Sequence, residues 1–112
     1  QASETVIVNK SFNRREIKVR VGAMIRVELE ELGAAGYSWK LQNLDDEHFG
    51  TPEVQTKATP PEDDFTGAPV LKIWLIGAKK TGQSHLRFIH YRPWEDEKTA
   101  SDTFYLRVRI VP

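Results

Sequence analysis

Hydrophobic and polar residues alternate along most of this chain with a period of two, the spacing that turns one side of an extended strand to a core and the other to water. Ile17, Val19 and Val21 alternate with Glu16, Lys18 and Arg20, and Ile25, Val27 and Leu29 alternate with Arg26, Glu28 and Glu30. Near the end, Phe104, Leu106, Val108 and Ile110 alternate with Tyr105, Arg107 and Arg109. Leu71, Ile73 and Leu75 form a fourth set, with Lys72 and Trp74 on the opposite face; Leu86 to Tyr91 is a fifth run and Val6 to Val8 a short one. Two more strands are expected around Tyr37, Trp39 and Leu41 and over Val54 to Lys57. Breakers separate these runs at Gly22-Ala23, Gly33 to Gly36, Gly50-Thr51-Pro52, Pro60-Pro61, Gly67-Ala68-Pro69, Gly77, Gly82 and Arg92-Pro93. Only Leu44 to Phe49, opened by Asp45-Asp46-Glu47, suits one helical turn. The pattern predicts an all-β, antiparallel sandwich of about seven or eight strands, with a long exposed loop over Thr59 to Thr66.

Composition narrows what such a sandwich can do. The 112 residues form one expected domain, 1–112, with 16 Lys and Arg against 16 Asp and Glu and no cysteine. No disulfide, thiol nucleophile or thiolate zinc site is therefore available. Balanced charge removes long-range attraction to phosphate backbones, so no nucleic acid is expected as a partner. The longest apolar runs, Val6 to Val8 and Ile73 to Ile76, fall far short of the roughly 20 residues that span a bilayer. No pairing surface is evident, and a monomer is expected. The start at Gln1-Ala2-Ser3 reads as a mature or trimmed form that has lost an export signal.

Catalytic chemistry finds little support. His85 and His90 are an odd number of residues apart and point to opposite faces of one strand, so they share no metal. Asp45, Asp46 and Glu47 before His48 suit the first turn of a helix better than an ion site, and Asp63-Asp64 lacks the spacing of a calcium loop. No nucleophile and base pair can be identified, so neither an enzyme nor a cofactor or metal is expected.

Three stretches depart from plain strand-and-turn. In Gly33-Ala34-Ala35-Gly36 almost no side chain stands between the backbone and another surface, leaving a plain turn or a contact tip. It leads into Tyr37 and Trp39, two apart and so on one face; Trp39 reads as core packing. Phe65 stands among acids in the loop that runs on to Gly67-Ala68-Pro69, which is either a solvated connection or a contact surface. In Arg92-Pro93-Trp94 the proline restricts its neighbour and fixes the loop, carrying Trp94 at a preordered position. That suits a binding anchor, because a rigid ring and a planar guanidinium bury much area with little ordering; a lid over the sandwich end is the other reading.

Gly36-Tyr37-Ser38-Trp39 after a short loop, a Gly67-led middle loop, and Arg92-Pro93-Trp94 before the last strand together resemble the chagasin-type inhibitors of papain-like cysteine peptidases. The resemblance covers nearly the whole chain in order and spacing. It implies an immunoglobulin-like sandwich whose three loops at one end enter a peptidase cleft as a noncovalent wedge. The implied contact residues are Gly33, Ala34, Ala35, Gly36, Tyr37, Phe65, Gly67, Ala68, Pro69, Arg92, Pro93 and Trp94, with Trp39 structural. The implied location is periplasmic, secreted or lipid-anchored. Where the family has Asn-Pro-Thr-Thr this chain has Leu32-Gly33-Ala34-Ala35, and where it has Gly-x-Gly-Gly this chain has Gly67-Ala68-Pro69-Val70. The alternative is a carbohydrate-binding or adhesion module of the same class, stacking Tyr37, Trp74 and Trp94 on sugars or on a partner, although Trp74 reads more readily as cross-strand packing than as a surface patch.

Overall fold

The computed structural model describes residues 4–31, 36–58 and 70–112. Eight strands run through them: β1 (Thr5–Val8), β2 (Arg15–Arg20), β3 (Met24–Glu31), β4 (Ser38–Gln42), β5 (Glu53–Ala58), β6 (Val70–Gly77), β7 (Gly82–Tyr91) and β8 (Asp102–Val111). They form two four-stranded sheets, ordered β1-β3-β6-β5 and β2-β8-β7-β4. The apolar positions of β2, β3 and β8 face inward, as the alternation requires: Ile17, Val19, Ile25, Val27, Leu29, Phe104, Leu106, Val108 and Ile110 are all buried. Phe88 lies at the centre, edge-on to Trp74 with ring centroids 4.7 Å apart and tilted against Phe104 at 5.8 Å. Leu44 to Phe49 makes one turn, closed by the Asp45 carbonyl accepting from the amides of His48 and Phe49.

Two features differ from the sequence expectation. The sandwich is not wholly antiparallel, since β1 pairs in parallel with β3 and β2 with β8. Each strand reverses the direction of the one before it, so neighbours separated by an even number of steps in the chain run the same way. Alternation along a strand carries no information about which distant strand lies beside it. The second difference is in β6, whose core-facing residues are Trp74 and Ile76; Ile73 is buried outside the main core cluster, on the outer face with Leu71 and Leu75. Both faces of this strand are apolar, and the large indole wins the interior because Phe88 offers it a ring to pack on.

The same reversals set the ends. The β1–β2, β3–β4, β5–β6 and β7–β8 connections leave from one end of the sandwich. Register agrees: Glu31 pairs with Val70, Val70 with Ala58, Ser38 with Tyr91, and His90 with Asp102.

Candidate functional site

The described part of this end is built on β3, β4, β6, β7 and β8. Trp39 on β4 is 4% exposed and ties the sheets together. Its indole Nε1–H donates to the Glu30 carbonyl (2.9 Å) and its backbone N–H to the Glu31 carboxylate (2.9 Å), both on β3. From β6, the Lys72 ammonium donates to the Trp39 carbonyl (2.8 Å) and the Ser38 hydroxyl (3.2 Å), with Trp74 beside it. Polar groups at the mouth of an apolar sandwich are satisfied across the gap, which fixes the strand ends that carry the loops.

His90 is the inner support. It follows Phe88 by two on β7 and stands beside Trp39 in register, so its ring enters the space between the sheets. Tyr37 stacks on it at 5.2 Å with the planes 21° apart, and Trp39 lies tilted at 4.9 Å. His90 Nδ1 meets the Ser101 hydroxyl at 2.9 Å, while Nε2 is buried without a hydrogen-bond partner among the described residues. Burial holds the imidazole below the ordinary histidine value, outweighing the opposite pull of Glu31 and Asp102.

Residues 92–101 are held at both ends. Arg92-Pro93-Trp94-Glu95 is a turn in which the Glu95 amide donates to the Arg92 carbonyl (2.9 Å), with proline at the position whose φ it presets. The Arg92 guanidinium lies 4.6 Å from the centre of the Tyr37 ring and 3.8 Å from the Glu95 carboxylate. A 3-10 turn at Glu97–Thr99 follows, capped by Asp96, whose carboxylate accepts from the Lys98 amide. Glu97 receives bonds from Lys40 (2.7 Å) and Gln42 (2.9 Å) on β4. Lys40, through that hydrogen bond, holds the Glu97 carboxyl below its usual range and is itself raised. The Ser101 amide closes the loop on the His90 carbonyl at 2.8 Å.

Trp94 stands out at 72% exposed, yet its ring is not loose. It lies on Gly36, where a Cβ would overlap the indole and where φ is +80°, so both space and backbone demand glycine. The structure thus brings Gly36, Tyr37, Arg92, Pro93 and Trp94 together. Gly33, Ala34, Ala35, Phe65, Gly67, Ala68 and Pro69 lie outside the described residues. Trp74 packs between the sheets, 3% exposed, which is its packing reading and not the surface patch, because its face of β6 is the inner one.

Sequence reasoning weighed His90 only as a metal ligand and did not single out Ser101, Lys72, Glu31 or Glu97 for the site. Only His90 left a signal, its even spacing from Phe88. The others act across sheets or from the loop onto β4, which local pattern does not encode.

One possible cation cluster lies at the opposite end, where donor atoms of Asp45, Glu47 and His48 come within 4.8 Å of one another. Their donor atoms are already engaged within the protein. Asp45 accepts from the Ser84 hydroxyl and meets His48 Nδ1, each at 2.7 Å, and Glu47 pairs with Lys80 at 2.9 Å. The Ser84 bond, with help from His48, holds the Asp45 carboxyl at about 2 against desolvation.

Fold and site together define an immunoglobulin-like β-sandwich that presents a rigid, tryptophan-tipped end. Over residues 18–108 the sequence matches the chagasin family peptidase inhibitor I42 model. The chain belongs to that family, and it is a peptidase inhibitor, not an enzyme. It is 24% identical over 105 residues to chagasin from Trypanosoma cruzi, covering 87% of this chain and 90% of that one. Among solved structures it is similar to the cysteine protease inhibitor EhICP2 from Entamoeba histolytica, with TM-score 0.88, 19% identity and 98% of each chain covered. Amebosin, known in solution, aligns at TM-score 0.74 and 19% identity over 97% of this chain and 99% of its own. PbICP-C, in its complex with falcipain-2, aligns at 0.58 and 17% over 96% and 90%.

Proposed function

We propose that this protein inhibits papain-like cysteine peptidases by seating the end that carries Trp94 across the active-site cleft, with Gly36, Tyr37, Arg92 and Pro93 at the contact. The observation that carries this reading is a tryptophan 72% exposed on a turn already fixed by proline, a hydrogen bond and the bare backbone of Gly36. A large apolar ring held in water without a covering element suits an interface, and holding it in place beforehand reduces what binding must order. Residues 33–35 and 65–69, small or apolar in large part, complete the wedge in this reading. In this reading the chain escapes cleavage by offering no carbonyl in line for attack by the thiolate, since occupancy without near-attack geometry blocks and is not cut. Action outside the cytosol, in a periplasmic, secreted or lipid-anchored setting, belongs to the same reading.

The test is residual activity of papain titrated with the chain, together with intact mass after incubation. Stoichiometric inhibition with the chain uncleaved is expected, and Trp94→Ala should weaken it by at least about 2 kcal/mol, close to thirtyfold. An unchanged inhibition constant for that variant would remove Trp94 from the contact. The carbohydrate-binding alternative has lost its platform, since Trp74 is internal and Tyr37 is stacked on His90 with Arg92 beside its ring.

A further inference from the structure

The chain is neutral overall, but its charge is not evenly spread. On the outer face of the β2-β8-β7-β4 sheet the solvent-facing positions include Glu16, Lys18 and Arg20 of β2, Arg107 and Arg109 of β8, and Gln83, His85 and Arg87 of β7, while Lys40 at the β4 edge is bound to Glu97. Arg14, at φ +65°, adds its side chain to a shallow depression with Asn13, Arg87, Thr103, Tyr105 and Arg107. Six exposed cations, Arg14, Lys18, Arg20, Arg87, Arg107 and Arg109, thus share one face with a single strand carboxylate, that of Glu16 beside Arg107 in register, the Glu97 carboxylate at the β4 edge being taken up by Lys40 and Gln42. Among the described residues none of the six is ion-paired, Glu16 included as a partner. Register even sets Lys18 directly beside Arg109. Like charges on neighbouring strands are destabilising, so nothing in the fold's own energetics calls for this arrangement. The other sheet lacks such an excess on its outer face: Glu28, Glu30 and Glu53 stand there with Lys57 and with Arg26, which is already bound to Glu28 at 2.6 Å.

We propose that this face binds a linear sulfated polysaccharide, separately from the peptidase-blocking end. Five of the six cations are arginines, whose planar forks match oxyanions in pairs, and Tyr105, tilted against His85 at 5.5 Å, floors the depression as a shelf for a sugar ring. A thin, flexible polyanion can follow the cation rows within a Debye length, roughly 8–10 Å, and stay clear of the carboxylates on the sheet behind. A membrane surface fits less well. The large hydrophobic residues that are exposed among those described are Ile7, Val21, Val54 and Trp94. Ile7 and Val54 are on the other sheet, Val21 follows the inward-facing parity of Ile17 and Val19, and Trp94 is at the loop end, so this face offers nothing to insert. Duplex nucleic acid is read by an element entering a groove, and a sheet face without a protruding helix or ribbon offers none. Arg109 lies roughly 23 Å along β8 from Asp102 at the loop end, and Tyr105 roughly 10 Å, so a chain laid from the depression toward Arg109 and Arg20 runs away from the peptidase-blocking end.

The test uses the intact chain and four probes: heparin, the same polysaccharide desulfated, a single-stranded oligonucleotide, and vesicles of phosphatidylserine in phosphatidylcholine. Saturable binding to heparin that weakens with salt, and is lost on desulfation, is expected. Arg107→Gln combined with Arg109→Gln should lower the affinity at least about tenfold and flatten its salt dependence, since each neutralised anion releases a counterion. Papain titration by the same variant should stay unchanged, which also shows that it is folded, and Lys79→Gln with Lys80→Gln, away from this face, should bind heparin normally. Absence of heparin binding, binding that survives the arginine substitutions, or tighter binding to the oligonucleotide or vesicles would each overturn the proposal.

Discussion

At the scale of single residues, the site rests on two, one fixed by its backbone and one by its burial. Gly36 is left-handed and lies under the Trp94 ring, so Gly36→Ala must displace either the backbone or the indole. Inhibition should fall at least about tenfold with little loss of global stability, because the position is at the surface and strain there is local; paired titration and urea unfolding would separate the two effects. His90 is the other. Its imidazole is held neutral by burial against Tyr37 and Trp39, so its folded-state value lies below the ordinary 6.5. The sign follows directly: its contribution is fully present above the unfolded value and is lost as pH falls through the folded one. The urea midpoint should drop as pH falls below the ordinary histidine value, and His90→Phe should flatten that slope while keeping the aromatic stack. A slope that survives the substitution would assign the titration elsewhere. Asp45, held at about 2, acts lower on the scale, its contribution present above the usual aspartate value and lost only as pH falls toward 2.

Elements carry the site in a way no single residue does. The connection from β7 to β8 is not a free loop but a proline turn followed by a 3-10 turn, and it is pinned to β4 through Lys40, Gln42 and Glu97. These pairs are exposed, so they contribute little to global stability; their effect is on local order. Glu97→Gln should speed amide hydrogen exchange at Thr99 and Ser101 and weaken inhibition several-fold through faster dissociation, without moving the unfolding midpoint. Exchange rates equal to those of the parent chain would mean that Asp96 and Ser101 suffice. The strands themselves were largely legible in advance, since each alternating run became a strand within a few residues. Gly82 shows the usual slippage at a boundary. It looks like a breaker but begins β7, at φ +141° with the His48 ring packed where a Cβ would go.

For the molecule as a whole, the decisive fact is which face of β6 points inward. Trp74 meets Phe88 between the sheets, while Leu75 sits on the outer face, across from Arg26 and Glu53. Trp74→Ala should therefore destabilise the sandwich by about 3–5 kcal/mol, and Leu75→Ser by no more than about 1. Equal losses in urea unfolding would contradict that orientation. The successive reversals of eight strands also explain why the connections around Tyr37 and around Trp94 meet at one end, although more than fifty positions separate the two residues.

Much of this was settled by the sequence itself. Alternation specified the strands and most of the core because a half-buried strand must repeat every two residues, and Gly36-Tyr37-Ser38-Trp39 with Arg92-Pro93-Trp94 pointed to the family because backbone freedom and proline rigidity are local properties. Tertiary structure alone decided the parallel pairings of β1 with β3 and β2 with β8, the inward turn of Trp74, the support of Tyr37 by His90, and the gathering of six cations on one face of a neutral chain. The reason is common to all four. Periodicity reports which side of a strand is buried, but not which distant strand lies beside it, and pairing is fixed only when both sheets close on one core.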